Sequence, residues 1–220
     1  LLNGERRVHY FDKARMEIDI SPDSKNIWLT AGLIVREMIA GEIQVGDNTF
    51  ERSTPARVPL AGDPIQYNRD APTYASLNQI ASHDGTGTRA VPQRKGTPIN
   101  EVLQPNGSIS LNWALGALAT YGNYESTLGH NVAAVFEPFL RNLPSDWKTS
   151  VGLPLAEPYW VQTNLAGDPT WVLVQVFERR VLTFTPTNRP EWQIEMGNVG
   201  RAYFAWRYDV SPPESAIVNE

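Results

Sequence analysis

Hydrophobic residues fill nearly every position from Trp171 to Phe177, and a charged triplet follows them. Successive side chains of a strand point to opposite faces, so this pattern predicts a strand that is buried on both sides. A second β-rich run covers residues 181–185 and ends at Pro186, because proline has no N–H to donate to a sheet. Beyond Gly197 the apolar residues recur at helical spacing. The last quarter of the chain is therefore predicted to form strands, a bend and a short helix.

A weaker copy of this pattern lies near the start of the chain, in residues 8–34. Self-similarity over about thirty residues is typical of a supersecondary unit that is used twice. We therefore predict two related strand-turn-helix units. The corresponding positions, whose spacing differs by one or two residues, are Val8 and Val174, Phe11 and Phe177, Asp12–Lys13 and Glu178–Arg179, Trp28 and Trp192, and Gly32 and Gly197.

Shorter patterns predict the elements between these units. Residues 159–163 are predicted to pair with 171–176 across a turn at 167–169, and the Gly- and Thr-rich stretch 83–97 is predicted to be a mobile surface loop. The remaining predictions are helices at 28–40, 73–81, 111–120 and 131–140, a hairpin or an edge strand at 42–50, a hairpin at 99–109, and a short strand at 56–60.

Together these elements predict an α+β fold, with a twisted, mostly antiparallel sheet and short packing helices. A chain of 220 residues is long enough to bury a core as one compact domain or as two small domains that share an interface, and we expect one compact domain. We expect four sections within it. They are an N-terminal half with a partial first repeat (1–84), a flexible loop and hairpin (85–110), a complete second repeat (111–210) and a C-terminal tail (211–220).

Composition excludes several classes of function. The chain has no cysteine, so disulfides, thiolate metal sites and cysteine nucleophiles are excluded. A net charge of −5 argues against a nucleic-acid partner, which would require a basic surface. No apolar run reaches the length of a transmembrane segment. Because the sequence begins inside the first copy, we expect a longer parent chain with residues before Leu1.

Four short motifs mark the C-terminal copy: Leu128–Asn131, Gly152–Pro158, Phe177–Arg180 and Gly197–Gly200. In this combination they resemble an uncharacterised repeat-containing module of bacterial secreted and cell-surface proteins. The likeness covers nearly all of the C-terminal copy, but only the second half of the N-terminal copy. A fainter likeness is to the LGFP-type repeats of bacterial cell walls. The resemblance implies an extracytoplasmic location, secreted or at the cell surface, and an accessory role without an established activity.

His130 is the leading candidate for chemistry. A histidine beside Gly129 at a predicted helix start could carry a proton or contact an anion. The alternative is a capping or packing histidine. The sequence favours this alternative, since no serine lies in a nucleophile-elbow motif and no second histidine lies at metal-ligand spacing.

The acidic residues of the repeated motif have two interpretations. Glu178 with Asp12, or Glu157 with Glu178, could form a glycosidase carboxylate pair. However, Glu178 is followed by Arg179 and Asp12 is followed by Lys13. A repeated acid–base couple is explained more simply by ion pairs between the two units. We therefore predict structural ion pairs at these positions and no catalytic residue.

The turns at 46–48 and 84–87 carry oxygens that calcium could use, but neither has the acidic series of an EF-hand loop. We therefore predict no metal and no cofactor.

The leading functional hypothesis is a non-catalytic extracytoplasmic module that binds or scaffolds at the bacterial cell envelope. Its expected partner is a carbohydrate polymer or a neighbouring surface protein, and Tyr159 and Trp160 are the predicted contact residues, because aromatic rings can stack on sugars. A self-assembling surface protein that pairs through the open strand edge of the first copy is one alternative. A hydrolase that acts on a cell-wall or polysaccharide substrate around His130 is another.

Overall fold

The computed structural model describes residues 6–19, 29–46 and 49–209. It has the predicted α+β architecture. The strands of the described residues are β1 (Arg6–Phe11), β2 (Ala14–Asp19), β3 (Leu29–Ala31), β4 (Glu42–Gln44), β5 (Phe50–Arg52), β6 (Glu101–Leu103), β7 (Ile109–Leu111), β8 (Tyr121–Glu125), β9 (His130–Ala133), β10 (Tyr159–Leu165), β11 (Asp168–Val176), β12 (Val181–Phe184) and β13 (Ile194–Met196). The helices are α1 (Ile34–Ala40), α2 (Glu137–Arg141), α3 (Trp147–Ser150) and α4 (Val199–Tyr208).

The largest sheet has six strands in the order β13-β12-β11-β10-β6-β7. All neighbours in it are antiparallel except β10 and β6. Along β11, Val172 and Val174 enter one hydrophobic cluster, whereas Leu173 enters a second cluster that also holds Trp160. Because alternate side chains of a strand point to opposite faces, the sheet has a core on each side. The prediction of a strand buried on both faces is confirmed.

Two parts of the chain share one order of elements. The first unit consists of β1, β2, β3 and α1, and the second unit consists of β11, β12, β13 and α4. Each begins with a hairpin whose two-residue turn directly follows a phenylalanine. The register also corresponds, since Met16 pairs with Ala31 in the first unit and Leu182 pairs with Met196 in the second.

Glycines after the third strands occupy matching positions. Gly32 N–H donates to the Arg15 carbonyl at 2.9 Å, and Gly197 N–H donates to the Val181 carbonyl at 2.9 Å. The two units therefore agree in backbone hydrogen bonding as well as in element order.

Each hairpin turn contacts the helix of the other unit. The carbonyl oxygen of Asp12 accepts hydrogen bonds from Gly200 N–H at 2.9 Å and Arg201 N–H at 3.3 Å, in the first turn of α4. The carbonyl oxygen of Glu178 accepts from the first turn of α1, where the N–H groups of Val35 and Arg36 lie at 3.2 and 3.4 Å. The first N–H groups of a helix have no partner within the helix, so these contacts satisfy otherwise unpaired donors. The hairpin turn of each unit thus caps the N-terminal end of the other unit's helix.

The three predicted hairpins are confirmed. β4 pairs with β5, β6 pairs with β7, and β10 pairs with β11 in the predicted antiparallel arrangement. The last turn lies at Ala166–Gly167, one residue earlier than predicted, and both residues have positive φ angles of 53° and 87°. Gly167 can adopt such an angle at little cost, which explains its place in this tight turn.

Several helix predictions were wrong. Residues 29–31 form β3 rather than the start of a helix, and the predicted starting residue Trp28 lies outside the described residues; α1 does end at Gly41 as predicted. Residues 130–133 form β9, which pairs with β8, and within the helix predicted at 131–140 only the part that belongs to α2 is α-helical. Short apolar runs fit a buried strand as well as a helix, which explains this error. The segments 73–81 and 111–120 contain single turns of 3₁₀ helix, and 56–60 contains one isolated bridge instead of a strand.

The segment 83–97 forms no helix or strand, as expected for a loop, but hydrogen bonds attach it to the β8–β9 hairpin. Val91 N–H donates to the Gly129 carbonyl at 2.9 Å, and Gly96 N–H donates to the Tyr121 carbonyl at 2.8 Å. The segment therefore covers the hairpin that contains His130.

Candidate functional site

His130 lies between a hydroxyl and a carboxylate. Its Nε2 is 2.8 Å from Ser82 Oγ, and its Nδ1 is 3.5 Å from Glu157 Oε1. β9 carries the histidine, and Glu157 belongs to the Gly152–Pro158 motif that precedes β10. A hydroxyl, an imidazole and a carboxylate in this order are the groups of a hydrolytic triad. Sequence reasoning missed Ser82, because no motif surrounds it.

Burial separates this cluster from any substrate. The exposed fractions of Ser82, His130 and Glu157 are 1%, 1% and 2%. The cavity beside Glu157 has a volume of about 10 Å³, which is no more than the space of one water molecule. On the outer side, Gly129 packs directly against Ala90 of the covering segment. The cluster has the groups of a triad but no cleft that would admit a substrate.

Glu157 is fully used by structural hydrogen bonds. Its carboxylate accepts from Asn131 N–H at 2.8 Å, from Asn131 Nδ2 at 3.0 Å and from Arg94 Nη2 at 2.9 Å. Asn131 also donates to the Pro92 carbonyl at 3.0 Å and accepts from Arg94 N–H at 2.8 Å. These contacts join the covering segment to β9 and to the motif before β10. His130 is therefore a buried, packed histidine on a strand, and the prediction that it starts a helix is wrong.

Arg94 extends this network to Tyr121 of β8 and to Glu101 of β6. Its guanidinium group lies 4.0 Å from the centre of the Tyr121 ring and pairs with the carboxylate of Glu101. Burial opposes the charged form of Glu101, but the nearby Tyr121 hydroxyl and the hydrogen bond and positive charge of Arg94 outweigh this effect and lower the pKa of its carboxyl group. The charges in this region are thus paired with one another and are not arranged around an open site.

The predicted contact residue Trp160 is not accessible. Its side chain has an exposed fraction of 0%, and its indole N–H donates to the Ile99 carbonyl at 2.8 Å. The reason is that β10 lies inside the six-stranded sheet, between β11 and β6. Tyr159 is half-buried beside the small cavity, and burial raises the pKa of its hydroxyl group. The prediction that these two rings form a contact surface is wrong for Trp160.

The predicted ion pairs differ from those observed. Glu178 pairs with its own neighbour Arg179 at 3.5 Å, and Asp12 pairs with Arg201 of α4 at 3.0 Å. Lys13 is exposed and makes no ion pair within the described residues. Asp12 does connect the two units, but through a helix that sequence alignment of the motifs did not single out.

A buried cluster around Arg15 that the sequence analysis missed reaches the second unit through a hydrogen bond to Tyr203. Arg15 of β2 pairs with Glu17 at 2.7 Å and with Glu37 of α1 at 2.9 Å, and its Nη1 donates to the Tyr203 hydroxyl of α4 at 2.6 Å. Burial disfavours the charged form of Arg15, yet Glu37, Tyr203 and Glu17 raise the pKa of its guanidinium group above the usual value. Gly32 leaves room for this side chain, since a Cβ there would lie 2.5 Å from Arg15 Nε.

Within the described ranges, no group of three or more His, Asp or Glu side chains is arranged to hold a metal ion. Asp84 of the candidate turn at 84–87 accepts hydrogen bonds from Thr86 N–H at 3.0 Å and Thr86 Oγ1 at 2.8 Å. These bonds lower the pKa of the Asp84 carboxyl group. In the other candidate turn, residues 47 and 48 lie outside the described part of the chain.

A groove of about 350 Å³ opens beside β10, and we call it the sheet groove. One wall is the segment 67–72, and the floor is formed by β10 and by the end of β6. Its lining includes the aromatic or polar side chains of Tyr67, Arg69, Asp70, Gln104, Gln162 and Trp171.

Asn68 fixes the wall of the sheet groove to its floor. Its Nδ2 donates to the carbonyls of Asp63 at 2.7 Å and Asn164 at 3.1 Å. Its Oδ1 accepts from Asn164 N–H at 2.6 Å and from Thr163 Oγ1 at 3.1 Å. At the end of the hairpin, the Asp63 carboxylate accepts from the turn N–H groups of Ala166 and Gly167 at 3.1 and 3.0 Å. Hydrogen bonds therefore hold the segment that forms the wall of the groove against the β10–β11 hairpin.

The groove combines flat aromatic rings with unpaired polar groups. Tyr67 is 64% exposed, and Trp171 lies directly opposite Gln162 in the β10–β11 register. Among the described residues, the side chains of Arg69, Asp70 and Gln162 make no hydrogen bond or ion pair to the protein. Such a surface can stack an aromatic ring on one face of a ligand and hydrogen-bond its hydroxyl groups from the side.

A second groove of about 440 Å³ borders the first and shares Arg69, Ala71 and Pro105 with it. Its lining adds Arg57 and Asn106. The two grooves are therefore adjacent on the surface.

In the ranges that the structure describes, no helix combines the length and apolarity needed to cross a membrane. Comparisons with protein-family models, with curated proteins and with solved structures give no match to this chain.

Proposed function

We propose that this protein is a non-catalytic binding module of the bacterial cell envelope, and that it holds a carbohydrate polymer in the sheet groove. The observation that carries the proposal is the lining of this groove, where Tyr67 and Trp171 lie beside Gln162, Arg69 and Asp70, whose side chains have no polar partner among the described residues. The extracytoplasmic location is supported by the resemblance of four sequence motifs to modules of bacterial surface proteins.

Sugars present an apolar ring face and a rim of hydroxyl groups, and the groove offers a partner to each. The rings of Tyr67 and Trp171 supply apolar surface, and the amide of Gln162 can both donate and accept hydrogen bonds. The neighbouring side chains of Arg69 and Asp70 provide one strong donor and one strong acceptor. The bordering groove supports a polymer as ligand, because it extends the depression beyond Arg69.

The burial of the triad-like cluster favours binding over hydrolysis. The hydroxyl, imidazole and carboxylate groups of Ser82, His130 and Glu157 are almost fully buried. The carboxylate also accepts three hydrogen bonds from Asn131 and Arg94. A polymer in the sheet groove would contact other side chains, so recognition does not depend on this cluster.

The experiment is retention of the purified protein on isolated, insoluble cell-wall polymer. Tyr67→Ala and Gln162→Ala remove exposed side chains, so we expect an unchanged melting temperature. Each variant should bind about fivefold to tenfold more weakly, since a stacked ring or a pair of hydrogen bonds contributes about 1 kcal/mol or slightly more.

The matched control is Trp192→Ala, which removes an aromatic ring that is 62% exposed but does not line the groove. Retention that depends on Tyr67 and Gln162 but not on Trp192 supports the proposal. Retention that all three variants leave unchanged would remove the sheet groove as the binding site, and capture of a surface protein in place of the polymer would change the class of partner.

A further inference from the structure

The two units differ at one sheet edge. In the second unit, the edge of β11 that faces away from β12 is covered by β10. In the first unit, β1 is the outermost strand of a three-stranded sheet, and no strand of the described residues lies against its matching edge. Unpaired N–H and C=O groups of an edge strand are a template for pairing with another chain.

The second unit shows what such an edge can hold. Leu155 N–H donates to the Val176 carbonyl at 3.0 Å, and Glu178 N–H donates to the Leu153 carbonyl at 3.0 Å. Arg179 N–H donates to the Val151 carbonyl at 3.0 Å, so the pairing continues around the hairpin turn. Beyond this segment, Tyr159 pairs with Val174 as β10 begins. The occupant is therefore the Gly-x-Pro-x-x-Glu-Pro segment together with the start of β10.

The same set of backbone groups exists on β1. Phe11 and Phe177 both precede the two-residue turns, so Tyr10 corresponds to Val176 and Asp12 corresponds to Glu178. By this correspondence the carbonyl of Tyr10 is the acceptor, and the N–H groups of Asp12 and Lys13 are the donors. We propose that the β1 edge binds, in antiparallel orientation, an extended segment of a partner protein that carries the Gly-x-Pro-x-x-Glu-Pro pattern followed by an apolar strand.

The helix on the hairpin turn does not obstruct this pairing. α1 donates its first N–H groups to the Glu178 carbonyl while residues 151–155 pair with the outer edge of the same hairpin. α4 contacts the Asp12 carbonyl in the same way. The second unit therefore demonstrates that a hairpin can hold a capping helix and an added strand together.

Charge also favours an occupant of this kind. β1 contains Arg6, Arg7 and His9, and Lys13 follows in its turn. Residues 152–161, which occupy the matching edge in the second unit, contain the acidic Glu157 and no basic residue. A second copy of β1 would bring like charges together, whereas a segment of the 152–161 type would not.

The probe is a fluorescently labelled peptide with the sequence of residues 150–163, and the measurement is its fluorescence anisotropy as the intact protein is titrated in. We expect saturable binding to one site. N-methylation of the peptide leucine that corresponds to Leu155 removes the donor to the Tyr10 carbonyl, and we expect binding to weaken about tenfold or more. Since the protein is unchanged in this comparison, a folding defect cannot produce the difference.

A protein variant locates the site. Alternate residues of a strand direct their N–H groups to the same side, and Phe177 N–H bonds within its hairpin, so the N–H groups of Val174 and the corresponding Val8 face outward. Val8→Pro removes this outward donor, and Val8→Thr keeps it as the matched control. We expect weaker peptide binding to Val8→Pro only, with a melting temperature close to that of Val8→Thr. The proposal would be overturned by absence of binding or by equal binding of the N-methylated peptide. Full binding to a folded Val8→Pro variant would also overturn it, because the peptide would then be replacing residues 150–163 at β11.

Discussion

The carbonyl oxygen of Glu178 lies 3.2 Å from the backbone nitrogen of Val35, so the hairpin turn of the second unit caps the helix of the first. The carbonyl of Asp12 makes the reciprocal contact with Gly200 at 2.9 Å. Four hydrogen-bond donors at two helix ends are satisfied in this way, so backbone contacts hold the two units together alongside the Asp12–Arg201 ion pair and the Arg15–Tyr203 hydrogen bond.

The close approach of α4 to the first hairpin requires glycine at one position. A Cβ on residue 200 would lie 1.9 Å from the Phe11 carbonyl oxygen, whereas a Cβ on residue 197 would lie 3.5 Å from Val181. We predict that Gly200→Ala lowers the free energy of unfolding by about 2–4 kcal/mol, because the helix must move away from the turn that caps it. Gly197→Ala is the control, and urea unfolding measures both. Equal stability of the two variants would contradict the observed packing of α4.

The buried ion pairs of Arg15 give a second prediction. Arg15→Met leaves Glu17 and Glu37 buried without their guanidinium partner, so the free energy of unfolding should fall by about 3–5 kcal/mol. Arg141→Met breaks an exposed pair with Glu137 in α2 and should change it by about 0–1 kcal/mol. Chemical unfolding of both variants tests the difference, and a mild effect of Arg15→Met would show that the two carboxylates find other partners.

Stability should depend on pH through Glu125. Burial raises the pKa of its carboxyl group, but hydrogen bonds from Thr127, Leu128 and Lys148 lower the folded-state pKa below the ordinary value of 4.5. In the interval between these two values the unfolded chain binds more protons, so stability rises with pH and this contribution is complete above the unfolded value. It is lost as the pH falls through the folded value.

The unfolding free energy measured between about pH 3 and pH 5 should therefore rise less steeply in Glu125→Gln than in the unchanged protein. Glu191→Gln, which alters an exposed carboxyl group, is the control. Parallel pH profiles for the protein and Glu125→Gln would show that this carboxylate gains nothing on folding.

The buried triad-like cluster leads to a prediction about reactivity. A fluorophosphonate probe reacts with activated serines, but Ser82 is 1% exposed and lies beneath the segment that contains Ala90. We expect the probe not to label Ser82 in the folded protein. The Ser82→Ala variant is the control, because labelling of Ser82 would disappear in it. Detection of such labelling by mass spectrometry would mean that residues 83–97 open and that the hydrolase hypothesis is correct.

Local patterns were sufficient for much of the fold. The apolar run in β11 and the turn signals at 105–107 and 167–169 involve residues close in sequence, and the hairpins that they predict are present. The apolar run after His130 led to a wrong prediction of a helix, because Val132 and Ala133 suit a buried strand as well as a helix. Pairing with β8 decided between these two possibilities.

The candidate sites could not be predicted in the same way, since distant segments create them. Trp160 is buried because β10 pairs with β6, where its partner is Val102. The sheet groove needs the segment around Tyr67 against strands that follow a hundred residues later, through contacts such as Asn68 with Asn164. No periodicity of the sequence carries information about such contacts, so Tyr67 and Gln162 were not predicted as binding residues.

The most direct test of glycan binding in the sheet groove is a nitrogen-15 correlation NMR titration with soluble fragments of cell-wall glycan. We predict that the indole N–H of Trp171 and the side-chain amide of Gln162 shift progressively and saturate, while the indole N–H of the exposed Trp192 does not move. Unchanged signals of Trp171 and Gln162 at saturating glycan, or shifts confined to residues outside the groove, would contradict the account.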